Sequence, residues 1–387
     1  MDGMKKKVLS MLICMTMASA MLFGCGSGDG SDSASADTSK TEEAKDTEST
    51  PAADKEEDAS TEDAGDTASA DASGVLKKGD YVIGLSNSYF GNTWRKQMVE
   101  AFTKAADEAK AAGYIKDYEV QNGDNTVNSQ IAQINSFILS NVDAICICAA
   151  SPTALNSTIQ KALDAGIKVV AFDSIVDLEG VYTMDYPWQQ IGKDSVDFVA
   201  EKLGGKGNVV VVRGVSGAAP DQGIYAGITE AIKNYPDLKI VQEVIGEASA
   251  TKTQEELTKV LPSLPDVDAV ITHCGGDAIG AVNAFEQSGR ETPIIIGDNT
   301  AEFINWWMSK DGYETLSQGS TPGCGAAAFW TALDILNGYD VPEEMMIAVP
   351  HITADNLSEY EGMSAGTFVS PDFTNEYVIE NIIDAAK

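Results

Sequence analysis

Short apolar segments alternate with longer amphipathic segments from Tyr81 onward. Apolar runs of this length are typical of buried strands, whereas apolar residues three and four positions apart indicate a helix with one buried face. That helical spacing is seen at Met98, Phe102 and Ala105. The pattern predicts strands at 81–86, 118–121, 144–148 and 168–172, separated by helices at 94–112, 127–140 and 154–165.

The same alternation begins again near residue 208. Here it predicts strands at 208–213, 239–244, 269–272 and 293–297, with helices at 222–234, 253–261 and 277–287. Strands that alternate with helices form parallel sheets, because each helix carries the chain back to the start of the next strand. The sequence therefore predicts an α/β protein with two successive, doubly wound parallel sheets.

Polar loops follow the predicted strands, and they are rich in Asn, Asp, Ser and Gly. In open parallel sheets, ligands bind beyond the carboxyl ends of the strands. Amide and carboxylate side chains can hydrogen-bond pairs of hydroxyl groups, and an aromatic ring such as Trp94 can cover an apolar face of a sugar. These loops therefore predict a site for a polyhydroxylated ligand.

The first 24 residues are typical of a signal peptide. Lys5, Lys6 and Lys7 form a positive start, and the uncharged apolar run that follows is too short for a comfortable bilayer span. The run ends in Leu-Phe-Gly-Cys, which resembles the bacterial lipobox, where the Cys is diacylated before cleavage. We therefore predict lipidation of Cys25, which would anchor the chain to a membrane.

The segment that follows, up to Gly74, has no Leu, Ile, Val, Phe, Tyr or Trp, so it cannot bury a core. It contains 15 acidic and three basic residues, and their self-repulsion favours an extended chain. Residues 25–74 are therefore predicted to be a lipidated Cys followed by a disordered, acidic linker.

Charge and cysteine content exclude some partners. The chain has 26 Lys and Arg against 59 Asp and Glu, which is unfavourable for a protein that binds nucleic acid. Cys146 and Cys148 alternate within an apolar strand, where free Cys acts as a small core residue rather than a metal ligand. A disulfide between Cys274 and Cys324 would require their loops to meet, and the sequence leaves this open.

Several phrases recur in an order that matches a known family. They are Ile83-Gly84-Leu85-Ser86, Gly91-Asn92-Thr93-Trp94-Arg95, Asn141-Val142-Asp143-Ala144-Ile145, Ala165-Gly166-Ile167-Lys168-Val169-Val170 and Ile296-Gly297-Asp298. From about Asp80 onward, the chain resembles the type I periplasmic sugar-binding proteins of ABC importers, in the ribose and galactofuranose class. A lipidated Cys before a linker resembles the version in Gram-positive bacteria, held on the outer face of the cell membrane.

The resemblance implies two lobes that are joined by a three-segment hinge and close on the ligand. Lobe 1 would comprise residues 80–178 and 319–349, and lobe 2 residues 179–318 and 350–387. It further implies a monomer without a cofactor that captures a sugar or related polar solute and delivers it to an ABC transporter permease.

The resemblance also implies ligand contacts at individual positions. Asn92 corresponds to a polar contact of the family, Trp94 to a stacking aromatic residue and Arg95 to a paired Arg. Ser151 corresponds to a polar residue after a strand. Asp173 and Asp298 correspond to Asp residues at strand ends, and Gln318 corresponds to a Gln near the hinge.

Some positions depart from the ribose class. Ile224 stands where that class has an Arg, and Cys274-Gly275 replaces an Asn-Asp pair, for which Asp277 could substitute. Arg213, Asp221 and Trp188 could also contact the ligand. Their alternative roles are structural: Arg213 could form a salt bridge, Asp221 could cap a helix and Trp188 could pack on the surface. Of Trp306 and Trp307, one is expected to pack and the other could rim the cleft.

Other functions fit the sequence less well than solute capture. An enzyme is disfavoured because the chain has only two His, and the neighbours His273 and Cys274 would point to opposite faces of a strand. A sensor that presents its closed form to a membrane receptor is the alternative that the sequence leaves open. A repressor of the lactose-repressor type is disfavoured because an acidic linker stands where a DNA-binding domain would lie.

Overall fold

The structure is a computed structural model that describes residues 76–387. The predicted signal peptide, the predicted lipidation site at Cys25 and the predicted acidic linker lie outside the described residues. Among residues 76–387, no helix is both long and apolar enough to span a lipid bilayer.

Strands and helices alternate along most of the described chain. The strands are β1 (Val82–Asn87), β2 (Asp117–Asn122), β3 (Ala144–Cys148), β4 (Lys168–Phe172), β5 (Tyr182–Asp185), β6 (Lys206–Arg213), β7 (Asp237–Ile245), β8 (Ala269–Thr272), β9 (Ile294–Ile296), β10 (Ser317–Gln318), β11 (Glu344–Met346) and β12 (His351–Ile352). The helices are α1 (Thr93–Ala112), α2 (Val127–Ser140), α3 (Asn156–Asp164), α4 (Trp188–Leu203), α5 (Ala219–Ala231), α6 (Ala250–Val260), α7 (Asp277–Ser288), α8 (Ala301–Met308), α9 (Cys324–Leu336) and α10 (Asn375–Val378).

Two parallel sheets organise the fold. The first has the strand order β11-β5-β4-β3-β1-β2, and the second has the order β7-β6-β8-β9. Every pairing within these sheets is parallel. The predicted α/β fold with two parallel sheets is therefore confirmed, and we call the two halves lobe 1 and lobe 2.

A short antiparallel pair extends the second sheet. Gly297, directly after β9, bridges Ser317 of β10, and β10 pairs with β12. The chain crosses between the lobes after β5, after β10 and after β11, and these are three of its four crossings. A further segment, residues 370–374, leads from the lobe 2 bridge at Phe368 to α10, which packs on α9 of lobe 1.

The lobe boundaries differ from those predicted. The strand β5 was assigned to lobe 2 by the boundary at residue 178, but it pairs with β4 and β11 in the first sheet. The tail from residue 375, also assigned to lobe 2, packs on α9 and β11. Lobe 1 therefore extends to Asp185, because β5 connects β4 to the edge strand β11. It also includes the C-terminal helical turns, because they cover the sheet at β11.

Glycine and aromatic residues allow close packing in the two cores. In lobe 1, α9 lies on β1, β3 and β4 and meets α1, where the rings of Phe102 and Phe329 pack edge to face at 5.4 Å. In lobe 2, α4 and α5 approach so closely that a Cβ on Gly227 would lie 2.0 Å from the carbonyl oxygen of Gln189. Only glycine permits this contact between the two helices.

Candidate functional site

A small cavity lies between the lobes, at the carboxyl ends of β4, β6, β7 and β8 and the start of α1. Its volume is about 50 Å³, and it is lined by Asn92, Trp94, Arg95, Asp173, Val215, Ala218, Pro220, Asp221, Ala248, Cys274, Gly275 and Ser320. Residues from both lobes contribute to this lining. Of the nine residues expected to contact ligand, the structure brings five together here: Asn92, Trp94, Arg95, Asp173 and Asp221.

The first turn of α1 presents an aromatic ring and a guanidinium to the cleft. Asn92 caps this helix, because its Oδ1 accepts a hydrogen bond from the backbone N–H of Arg95 at 2.8 Å. The indole Nε1 of Trp94 donates to the carbonyl oxygen of Ser320 at 3.2 Å. The guanidinium carbon of Arg95 lies 5.5 Å from the centre of the Trp94 ring. The cap therefore fixes the direction in which both side chains leave the helix.

The guanidinium of Arg95 lies within a buried polar cluster of lobe 1. Its Nη2 is 3.6 Å from Asp173 Oδ2, and its Nη1 donates to Asn87 Oδ1 at 3.3 Å and to the sulfur of Cys148. Arg95 and Asp173 are only 8% and 3% exposed. Burial raises the pKa of Asp173 above its ordinary value, although Arg95 opposes this shift. Asp173 therefore depends on Arg95 to carry its charge inside the protein.

Cys148 is part of this cluster as a thiol. Burial raises the pKa of Cys148 to about 12, so the sulfur keeps its proton. Its Sγ lies 3.5 Å from Asp173 Oδ2 and donates to it. Cys146, two residues earlier, is fully buried and directs its sulfur at the carbonyl oxygen of Ala328, as expected for a core residue.

Lobe 2 contributes a carboxylate that is held from three sides. Arg213 donates to both oxygens of Asp221, from Nε at 2.9 Å and from Nη2 at 2.6 Å. The N–H of Gly214 donates to Asp221 Oδ1 at 3.0 Å, and Nδ1 of His273 lies 3.0 Å from the same oxygen. Burial by itself would raise the pKa of Asp221, but the hydrogen bonds from His273 and Arg213 lower it to about 2.

We expect Asp221→Asn to lower the free energy of unfolding at neutral pH by up to about 2 kcal/mol, because a carboxyl group whose pKa falls on folding stabilises the folded state. This contribution is complete above the unfolded pKa of about 3.9, and it is lost as the pH falls towards 2. Urea unfolding should show that the free energies of unfolding of wild type and Asp221→Asn differ at pH 7 and approach each other at pH 2.5. An equal difference at both pH values would contradict this origin.

The other four predicted contacts lie outside the cavity lining. Ser151 Oγ accepts from the N–H of Ala154 at 3.3 Å, before α3. The amide of Gln318 donates to the carbonyl oxygen of Ile191 at 2.8 Å and to Ser195 Oγ at 3.1 Å, so it joins β10 to α4.

Asp277 and Asp298 are both buried, and neither is among the residues that line the cavity. Asp298 accepts hydrogen bonds from the N–H groups of Gly276 and Ala278, at the start of α7, and from the hydroxyl group of Thr300, which caps α8. Asp277, the first residue of α7, accepts from Thr253 Oγ1 at 2.7 Å. Burial raises the pKa of both carboxyl groups.

The structure also places the residues whose roles the sequence left open. Arg213 forms the expected salt bridge and covers the ring of Tyr225 at 3.8 Å, and Trp188 packs on Tyr186 and donates to Asp185. Trp307 is buried in lobe 2, while Trp306 donates to Glu286 on α7. Neither Trp306 nor Trp307 lines the cavity. The four described cysteines, Cys274 and Cys324 among them, are free thiols.

Several cleft residues were not predicted from the sequence. Val215, Ala218 and Ala248 are apolar residues in loops, and Pro220 lies in the first turn of α5, where polar residues were expected to make the contacts. The feature of the sequence that could have indicated these residues is their position just after the strands β6 and β7. Ser320 lies in a crossing segment just after β10, a two-residue strand that the hydrophobic pattern does not predict. Among the described residues, no group of three or more His, Cys, Asp or Glu is arranged to hold a metal ion.

A larger depression of about 910 Å³ lies beside β5 and β11, away from the polar cluster. Its lining includes Asp177, Glu179, Glu343 and Glu344, and only Ala219 comes from lobe 2. The smaller cavity is the better candidate for a solute site, because both lobes surround it and because its polar groups converge.

Comparison with known proteins agrees with this geometry. Residues 83–340 match the family model of the periplasmic binding protein domain. A xylitol-binding protein of Mycolicibacterium smegmatis is 27% identical over 238 residues, 60% of this chain and 67% of that protein. The galactofuranose-binding protein of Escherichia coli is 26% identical over 316 residues, 76% of this chain and 96% of that protein.

A solved structure is similar to this chain in three dimensions as well as in sequence. An ABC transporter solute binding protein from Thermobispora bispora is 35% identical, superposes with a TM-score of 0.75, and covers 79% of this chain and 96% of its own. The resemblance noted in the sequence is thereby confirmed. The chain therefore belongs to the periplasmic binding protein family, and its two parallel sheets give it the type I fold of that family.

Proposed function

We propose that this protein captures a small polyhydroxylated solute, a sugar or a polyol, in the cleft between its lobes and delivers it to the permease of an ABC importer. The observation that carries this proposal is the cavity in which Trp94, Arg95 and Asp173 of lobe 1 meet Asp221 of lobe 2. Relatives that bind xylitol and galactofuranose support this solute class, and the similarity to a solute binding protein of an ABC transporter supports the role in import.

The lining suits a solute with a polar edge and an apolar face. The guanidinium of Arg95 donates hydrogen bonds, while the carboxylates of Asp173 and Asp221 accept them from hydroxyl groups. The ring of Trp94 and the apolar residues Val215 and Ala218 can cover the C–H groups of a sugar ring or polyol chain. Each part of the proposed solute therefore has a complementary surface.

The mechanism is a shift of population between open and closed lobes. A solute that contacts Arg95 on one lobe and Asp221 on the other stabilises the closed arrangement, because it interacts with both surfaces only when they approach. The connections between the lobes are short segments without a large shared sheet, which permits a hinge motion. The permease would then recognise the closed form. No covalent step is involved.

The periplasmic binding protein family consists of extracytoplasmic substrate-binding proteins rather than enzymes. We further propose that this member is a monomer and is held at the outer face of the cell membrane by lipids on Cys25. The apolar run before Cys25 and the acidic segment after it support such an anchor.

A thermal-shift screen of the purified chain against pentoses, hexoses, polyols and nucleosides tests the proposed solute class. We expect at least one sugar or polyol to raise the melting temperature by several degrees at 100 times its Kd, because binding to the folded state alone adds about 2.7 kcal/mol of stability. The same compound should give a much smaller shift with Trp94→Ala. Stabilisation by nucleosides alone would contradict the proposed class.

A further inference from the structure

A depression of about 300 Å³ adjoins the small cavity, and Asn92, Ala248 and Gly275 line both spaces. The residues around this depression also include Thr93 and Lys96, which are exposed to solvent. The depression therefore connects the cavity with solvent, and we call it the mouth of the cleft.

A loop of lobe 2 borders the mouth of the cleft. Residues 361–368, which we call the strap, follow the helical turn Leu357–Tyr360. The strap contributes Gly366 and Phe368 to the lining of the mouth. A solute that passes between solvent and the cavity therefore passes the strap.

Side chains of α8 hold the strap to lobe 2. Asn305 Nδ2 donates to the carbonyl oxygen of Met363 at 3.0 Å, and Glu302 Oε1 accepts from the N–H of Gly366 at 2.6 Å. Phe368, the last residue of the strap, is buried. These contacts attach the strap to lobe 2 along most of its length, so it should move with that lobe.

Gln97, on α1 of lobe 1, reaches the strap from the other side of the cleft. Its Nε2 donates a hydrogen bond to the carbonyl oxygen of Gly366. Gly366 is therefore bonded to α8 through its N–H and to α1 through its carbonyl group. Because α1 and α8 belong to different lobes, the hydrogen bond from Gln97 can exist only while the lobes are close together.

The chain leaves the strap through the fourth crossing, residues 370–374, which is attached to lobe 1. Ser370 Oγ lies 2.5 Å from Thr321 Oγ1, in the crossing segment after β10. Asn375 Nδ2 donates to both carboxylate oxygens of Asp334 on α9, each at 3.0 Å. The strap is therefore tethered to lobe 1 a few residues beyond its end, which keeps it near α1.

We propose that the strap is a clasp at the mouth of the cleft, which binds Gln97 through Gly366 in the closed arrangement and so slows release of the solute. The inference rests on the proposed function, because it concerns the same cleft. A contact that exists only in the closed form must break before the solute leaves, but it does not have to form before the solute enters. The clasp therefore lowers the dissociation rate and leaves the association rate nearly unchanged.

Gln97→Met tests the clasp, because it removes the donor and keeps most of the side-chain volume. We expect the dissociation rate to rise about fivefold, the effect of one net hydrogen bond, and the association rate to change by less than about twofold. Stopped-flow tryptophan fluorescence of the full chain gives both rates, with the sugar, polyol or nucleoside that shows the largest shift in the thermal screen. Glu302→Ala should also speed dissociation, whereas Glu302→Gln, whose amide oxygen can still accept from Gly366, should stay near wild type.

Gln160→Met is the matched control for Gln97→Met. Gln160 is exposed on α3 of the same lobe, and its amide donates to Asp164 at 2.9 Å within that helix. This variant should keep the wild-type dissociation rate, and both Gln variants should unfold at similar urea concentrations. A wild-type dissociation rate in Gln97→Met would overturn the proposal, and so would equally fast dissociation from Gln160→Met.

A crosslinking experiment tests the position of the strap without any solute. The full chain carries p-benzoylphenylalanine in place of Gln97, and crosslinked peptides are identified by mass spectrometry after irradiation. We expect crosslinks to residues 361–368, and none there from the same group in place of Gln160. Crosslinks from position 97 to lobe 1 alone would overturn the clasp even if a sugar binds. Crosslinks to the strap in a chain that binds no sugar or polyol would support the clasp and contradict only the proposed solute class.

Discussion

Replacing Arg95 with Met is expected to lower the free energy of unfolding by about 3 kcal/mol, because removal of one partner from a buried ion pair leaves the other charge without compensation. Asp173 is 3% exposed, and burial already raises its pKa, so its charged form relies on the guanidinium 3.6 Å away. The side chain of Met retains most of the packing volume. Urea unfolding at neutral pH, in the absence of solute, measures the loss.

The double variant Arg95→Met with Asp173→Asn separates the charge effect from packing. It should recover part of the lost stability, because the buried carboxylate is no longer present. Lys104→Met on the same helix is the matched control, since Lys104 and Glu108 form an exposed pair at 3.9 Å that should contribute nothing measurable. A single variant as stable as wild type, or a double variant less stable than the single one, would contradict the role of this pair.

The regular part of the fold follows from the hydrophobic pattern. The helix at Val127–Ser140 and the strands at Ala144–Cys148, Lys168–Phe172 and Ala269–Thr272 have the predicted bounds, because the helix buries one face and the three strands are apolar runs that are buried on both faces. The strand β5 gives no such signal. It is four residues long and only partly buried, and its pairing with β11 joins segments some 160 residues apart.

The first lobe of the candidate site was easier to predict than the second. Asn92, Trp94 and Arg95 lie a short loop after β1, and a capped helix start fixes where their side chains point. Asp298 also follows a strand, but a carboxylate there can face a solute or the backbone N–H groups of a neighbouring helix. Which of these occurs depends on the path of the loop 274–276, which is set by contacts with another loop. Residue type and spacing do not contain that information.

Replacing Trp94 with Ala is expected to weaken binding of the solute identified in the screen by about 100-fold, because a large aromatic side chain at the centre of a binding surface commonly contributes more than 2 kcal/mol. Trp94 lines the cavity and is only 6% exposed, so the variant also removes apolar contact area within lobe 1. Isothermal titration calorimetry gives the affinity, and far-UV circular dichroism checks that the variant is folded.

Two further variants test whether the effect belongs to the cleft and to the ring. Trp306→Ala, in which the lost side chain lies on α8 outside the cavity lining, should retain the wild-type Kd. Trp94→Phe keeps an aromatic ring but loses the hydrogen bond to Ser320, so it should bind more tightly than Trp94→Ala. If Trp94→Ala bound the solute with an unchanged Kd, Trp94 would have no part in the site. If Trp94→Phe were as weak as Trp94→Ala, the contact with Ser320 rather than the aromatic surface would determine affinity.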